Sequence, residues 1–203
     1  MKKKINIAVV GLGQVGIYLL NELNIKKKEI ELKSGKKINI VAVSAKNINK
    51  KRRFKVNKKI FFKNPLDIFK FTHVDILFEV IGQSDGISKK IVETALINKT
   101  HVITPNKALI SKHGDYLAKL AEINNVNLEF EASVAGGIPI LRTIKEGLST
   151  NKLSKVYGIL NGTTNYILSE MRESKDSFYN VLKKAQKLGY AEPGNPKLDL
   201  NGF

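Results

Sequence analysis

The 203-residue chain contains no cysteine, which removes disulfides, thiolate catalysis and thiolate metal sites together. Histidine is nearly as scarce, and His73, His101 and His113 show no metal-ligand spacing. No apolar run approaches the ~20 residues needed to cross a bilayer. Met1 to Lys4 leads straight into a strand pattern with no cleavage signature, so a cytoplasmic protein without membrane contact is expected. Acids are few as well, 18 Asp and Glu against 35 Lys and Arg, for a formal charge of +17. That imbalance is local: residues 1–63 hold 18 cations against Glu22, Glu29 and Glu31, a net +15, and the remainder carries +2. The excess sits at Lys26, Lys27, Lys28, Lys33, Lys36, Lys37 and residues 50–53, all expected in loops. It reads either as solvated surface in a composition rich in Lys, Asn and Ile or as attraction for a cofactor phosphate. Nucleic-acid binding is not expected, because aromatic residues do not interleave with the cations.

What is present is a 42% hydrophobic content, ordinary for a chain with a real core, and a strong opening motif. Residues 5–16 read INIAVVGLGQVG. The apolar run is that of a strand buried on both faces of a parallel sheet. Gly11 suits the tight bend, Gly13 lets backbone approach a pyrophosphate, and Gly16 lets the following helix pack on the strand. Val15, Leu19, Leu20 and Leu23 are expected on the inward face of that helix.

Residues 26–37 read as a polar excursion and 38–43 as a second buried strand. A carboxylate at its end would hold the ribose hydroxyls of NAD and repel a 2′-phosphate. Ser44-Ala45-Lys46 stands there, so NADP is the expected cofactor unless Lys46 is only a solvent-exposed loop lysine. Residues 74–81 form a further strand, with Glu79 either structural or close to a ligand, since a buried carboxylate must be satisfied. Residues 84–98 read as a helix with Ile87, Ile91, Ala95 and Leu96 inward. Residues 101–104 read as a strand, 111–124 as a helix and 128–131 as a last strand. The alternation is that of a doubly wound α/β domain, with ligands beyond the carboxyl ends of the strands. Lys107 falls there, as a group to stabilise an alkoxide or relay a proton, or as a surface lysine.

From about residue 132 the texture changes. A turn-rich segment leads to a helix over 139–148, a strand over 156–160, a helix over 166–171 capped by Thr164 or Asn165, and a helix over 177–188 stopped by Gly189. Two domains are expected, 1–131 and 132–203.

Six segments in register, GLGQVG, Ser44-Ala45-Lys46, TPNKAL, EASVAGGIPI, GILNGTTNYIL and AQKLGYAEPGNP, together resemble the homoserine dehydrogenase family over nearly the whole chain. The resemblance implies a Rossmann domain followed by part of an α+β substrate and dimerisation domain. It implies NAD(P)-dependent interconversion of L-aspartate 4-semialdehyde and L-homoserine in threonine and methionine biosynthesis, with NADPH preferred, and a homodimer or larger in the intact family. Carried over by position, Leu12, Gly13, Gln14 and Val15 would meet the pyrophosphate and Lys46 the adenosine ribose or its 2′-phosphate. Gly82, Thr104 and Lys107 would lie at the nicotinamide, Gly189 beside the cofactor, and Glu192 at the substrate amino group; Lys107 and Glu192 are the expected catalytic residues. A sodium ion would be held by Glu131, Val134, Gly136 and Ile138, largely through carbonyls, as suits a hard cation. The family pattern continues into an Asp and a Lys proton donor that would follow Phe203. The alternative function is therefore a nucleotide-binding remnant or split subunit, and the chain alone is expected not to turn over.

Overall fold

The computed structural model describes residues 4–52, 56–159 and 161–191. The chain divides into two compact units, Met1–Gly136 and Gly137–Phe203.

The first unit is built on a six-stranded sheet of β1 (Lys4–Val10), β2 (Lys37–Ser44), β3 (Phe61–Phe62), β4 (Ile76–Glu79), β5 (His101–Ile103) and β6 (Leu128–Glu129). The order is β3-β2-β1-β4-β5-β6 and every pair is parallel. Strand order therefore reverses between β1 and β4, the switch point at which a doubly wound sheet opens a crevice beyond its carboxyl ends. Alternation along β1 supplies both faces. Ile7 and Val9 join Leu12, Leu20, Ile38 and Val43 in one core, against which Ile17, Leu23 and Ile30 pack from α1 (Gln14–Ile25) and α2 (Lys27–Ser34). Ala8 and Val10 join Leu77 and Val102 in the other, with Ile68 of α3 (Ile68–Phe71), Ile91 and Ala95 of α4 (Ile87–Ile97) and Leu109 and Leu117 of α5 (Lys107–Ile123). Each fully buried aliphatic side chain of this kind contributes roughly 1.5–3 kcal/mol.

Three expectations change in this unit. The polar excursion at 26–37 is largely helical: Lys26–Glu22, Lys27–Glu31 and Lys33–Glu29 pair at i,i+4 spacing, and Gly35 ends α2 in the left-handed region at φ +68°. No residue of α2 is buried, so no apolar stripe announced it; Lys27, Lys28 and Lys33 lie on a helix, and Lys37 opens β2, rather than in loops. Val15 is 58% exposed, and Gly16 takes the inward place on α1. Helix α5 starts at Lys107, four residues before the expected Ser111, because the Asn106 side chain caps it.

The second unit holds α6 (Ile140–Arg142), continued by a π-helical turn over Thr143–Gly147, then α7 (Gly162–Ser174) and α8 (Phe178–Leu188). Ile167, Val181, Leu182, Ala185 and Ala191 make its small core, with Tyr166 stacked on Tyr190 at 4.6 Å. Asn161, rather than Thr164 or Asn165, caps α7, accepting the Thr164 N–H at 2.9 Å. Gly189 ends α8 at φ +82° as expected. The strand expected over 156–160 is not formed at 156–159, and Leu160 lies outside the described residues. A strand needs a partner for its backbone groups, and among the described residues of this unit none is present. No helix of the described residues is long and apolar enough to cross a membrane.

Candidate cofactor site

The glycine turn owes its shape to contacts at two of its three glycines. Gly11 sits at φ +106°, and a Cβ there would lie 2.4 Å from the Val80 carbonyl oxygen; one on Gly16 would lie 1.9 Å from the Gly11 carbonyl oxygen. Gly13 differs, because a Cβ there would meet nothing within 4 Å. Open space thus faces the start of α1, whose first N–H groups have no side-chain cap, an arrangement that receives an anion. Leu12 is buried behind the turn, while Gly13, Gln14 and Val15 are exposed at its rim.

The end of β2 is tied to this turn by the Gly11 N–H, which donates to the Ser44 carbonyl at 2.9 Å. Lys46 stands exposed two residues beyond. The loop that follows is folded by Arg52, whose guanidinium donates to the carbonyls of Asn47, Ile48 and Lys50 and reaches the Leu12 carbonyl at 3.3 Å. Arg53 lies outside the described residues. Sequence reading counted Arg52 among the cations but did not give it this role, since nothing local announces a bond to a carbonyl 40 positions away.

On the other side of β1 the register sets Val10 beside Glu79 and Phe78 beside Ile103, so the ends of β4 and β5 adjoin. Glu79 is fully buried and accepts from the Ile81 N–H at 2.9 Å and the Thr104 hydroxyl at 2.6 Å. Asn106 bridges the same region, its amide donating to the Gln83 carbonyl at 2.8 Å while its oxygen accepts the Leu109 N–H at 3.1 Å. Asn106 was overlooked in the sequence, although an Asn immediately before an amphipathic run is an N-cap signal. Thr104 is buried, Gly82 is exposed at φ +89°, and Lys107 is exposed in the first turn of α5. Beyond Gly82, Asp85 pairs with Lys112 at 2.8 Å and His113 at 3.0 Å on α5 and accepts the Ser84 hydroxyl. The Lys112 hydrogen bond, with those from Ser84 and His113, holds the Asp85 carboxyl well below the usual carboxylate range.

Glu131 opens a short 3₁₀ turn, and its carbonyl accepts the Val134 N–H at 3.2 Å. Ala135 between Val134 and Gly136 adopts φ +48°, a left-handed conformation that costs a non-glycine residue about 1–2 kcal/mol. Ile138 belongs to the second unit, as does Gly189, which is exposed at the end of α8. Glu192 lies outside the described residues. Among the described residues no cluster of three His, Asp or Glu offers a conventional metal site.

The family model for the homoserine dehydrogenase NAD-binding domain matches residues 11–131, and that for homoserine dehydrogenase matches 139–203. The chain belongs to the homoserine dehydrogenase family. It is 41% identical over 200 residues to the homoserine dehydrogenase of Neisseria gonorrhoeae, covering 98% of this chain and 45% of that one. It is 39% identical over 201 residues to that of Bacillus subtilis, covering 99% of this chain and 46% of the relative. A solved homoserine dehydrogenase from Thiobacillus denitrificans superposes with a TM-score of 0.84 at 38% identity, over 98% of this chain and 46% of that structure. The chain thus spans about half the length of the relatives it matches. An NAD(P)-binding domain is present.

Proposed function

We propose that this chain supplies the cofactor half of a homoserine dehydrogenase that reduces L-aspartate 4-semialdehyde to L-homoserine with NADPH preferred to NADH. The observation that carries the reading is the open, uncapped start of α1 at Gly13, bordered by a basic loop that Arg52 fastens to Leu12. Leu12, Gly13, Gln14 and Val15 present backbone to the pyrophosphate. Lys46, with Lys50 and Lys51 exposed close by, offers cations where a carboxylate would repel a 2′-phosphate. Gly82, Thr104 and Lys107 border the nicotinamide end, and Gly189 belongs beside the cofactor.

The bound nicotinamide supplies the hydride that reaches the aldehyde carbon. The chain's part is to hold charge: the Lys107 ammonium stabilises the oxyanion that develops as the carbonyl is reduced, Glu192 holds the substrate amino group, and the proton that completes the hydroxyl would come from the lysine of the family pattern that would follow Phe203. By family resemblance Glu131, Val134, Gly136 and Ile138 would hold a sodium ion, largely through carbonyl oxygens, as suits a hard cation. The intact assembly is a homodimer or larger, without nucleic-acid or membrane partners, and works in the cytoplasm.

Fluorescence titration tests the cofactor assignment. NADPH should bind about tenfold to a hundredfold more tightly than NADH, the worth of one charge-assisted phosphate contact, and Lys46→Glu should remove that preference. Equal affinity, or a preference for NADH, overturns it. Loss of nicotinamide absorbance on adding L-aspartate 4-semialdehyde tests the reaction, with the chain alone and with the carboxyl-terminal part of the Bacillus subtilis relative added in trans. NADPH bound but no homoserine formed in either arrangement would leave a nucleotide-binding protein without catalysis.

A further inference from the structure

Glu79 takes no part in the scheme above, yet it is fully buried at the carboxyl end of β4. Its contacts are all donors. The Ile81 N–H serves Oε1 at 2.9 Å, the Thr104 hydroxyl serves Oε2 at 2.6 Å, and the Asn106 amide nitrogen lies 3.4 and 3.3 Å from the two oxygens. The Thr104 hydroxyl also accepts the Asn106 N–H at 3.1 Å, which leaves its single proton for Glu79. The Asn106 side chain is oriented independently, because turning its amide over would lose both the bond to Gln83 and the one from Leu109. The carboxylate therefore works as an acceptor on both oxygens. Two segments meet at this carboxylate: Ile81 and Gln83 lead into and out of Gly82, while Thr104 and Asn106 lead into Lys107.

We propose that Glu79 is the positioning residue of the nicotinamide end of the site: its buried carboxylate sets the spacing between the Gly82 turn and the start of α5. The proposal rests on the dinucleotide reading given above. A glutamine has the same shape but one acceptor fewer, and its NH₂ would face either the Ile81 N–H or the Thr104 hydroxyl. One buried donor would then be unsatisfied, and the two walls would no longer share one anchor. The adenosine end does not depend on this anchor, because the Gly11 to Ser44 bond and the Arg52 clamp hold it separately.

The test compares two ligands on the full chain: NADPH, which reaches both ends, and 2′-phospho-ADP-ribose, which lacks the nicotinamide. Glu79→Gln should weaken NADPH about tenfold or more, the effect of one misplaced hydrogen-bonding wall, and leave 2′-phospho-ADP-ribose within about twofold. Asn106→Ser, which keeps a capping oxygen for α5 but removes the amide donors to Glu79 and Gln83, should reproduce the split, so the readout survives if Glu79→Gln loses its folded circular dichroism. Equal weakening of both ligands would mean that Glu79 only supports the fold, and unchanged binding of both would mean that it positions nothing; either result overturns the proposal. A wild-type chain that binds neither ligand overturns the dinucleotide reading itself, an outcome distinct from both.

Discussion

The two units solve the problem of burial differently. In the first, β1 carries side chains into two cores at once, so Val9, Leu77, Ile91 and Leu117 are completely enclosed. In the second, one side of α8 packs on α7, while Val156, Tyr157 and Ile159 are 64%, 85% and 76% exposed. The difference shows why the cofactor turn can be so closely packed. A sheet covered on both faces tolerates the tight approach of Gly11, Gly16 and Val80 because every neighbour is already fixed. A helix pair with one small core has no such reserve, and Val156, Tyr157 and Ile159 stand exposed beside it in the chain.

Glycine substitutions should separate the units most sharply. Gly16→Ala forces a Cβ to 1.9 Å from the Gly11 carbonyl oxygen, while Gly137→Ala enters open space at φ +89°. Urea denaturation should show a loss of about 3 kcal/mol or more for the first and about 1 kcal/mol for the second, from its left-handed backbone alone. Similar losses would remove the argument that the turn is fixed by packing.

Core truncation should give the next largest contrast. Leu77→Ala should cost roughly 2–5 kcal/mol through lost burial and the cavity left behind, whereas Val156→Ser should stay within about 0.5 kcal/mol. A large cost at Val156 would show that residues 156–159 are covered in solution.

Acid should reveal the smallest difference. Asp85 in the first unit is held well below the usual carboxylate range, chiefly by Lys112; Asp176 in the second is lowered by the Asn180 side chain and the Ser177 N–H. A carboxyl whose folded pKa lies below its unfolded value contributes in full above about pH 4, and that contribution is lost as the pH falls toward the folded value. Asp85→Asn should therefore flatten the acid limb of a stability profile measured from pH 7 downward, more than Asp176→Asn does. An unchanged acid limb in Asp85→Asn would show that the Asp85 contacts do not couple to folding.

The parts of the site that were legible in the sequence are those whose signal is local. The glycine spacing predicted the turn because Gly16 must clear the Gly11 carbonyl only five positions before it, and Gly189 as the stop of α8 is legible for the same local reason; the approach of Val80 to Gly11 is not. Helix α2 was hidden because its evidence is charge pairing rather than an apolar stripe. The start of α5 lies four residues before the expected Ser111 because the Asn106 side chain caps it, a signal carried by one residue ahead of the apolar stripe.

Sequence by itself determined β1, β2, β4, β5, β6 and the glycine-rich turn, since hydrophobic periodicity and backbone freedom act over a few residues, while the two-residue β3 is too short to show a period. Tertiary structure alone decided what those elements do to one another. It made Glu79 an anchor by bringing Thr104 and Asn106 from 25 and 27 positions away. It turned Val15 outward because Gly16 must meet Gly11, and it left Val156, Tyr157 and Ile159 exposed with no strand formed at 156–159. Each of these outcomes depends on a partner distant in the chain, and only the folded backbone sets which partners meet.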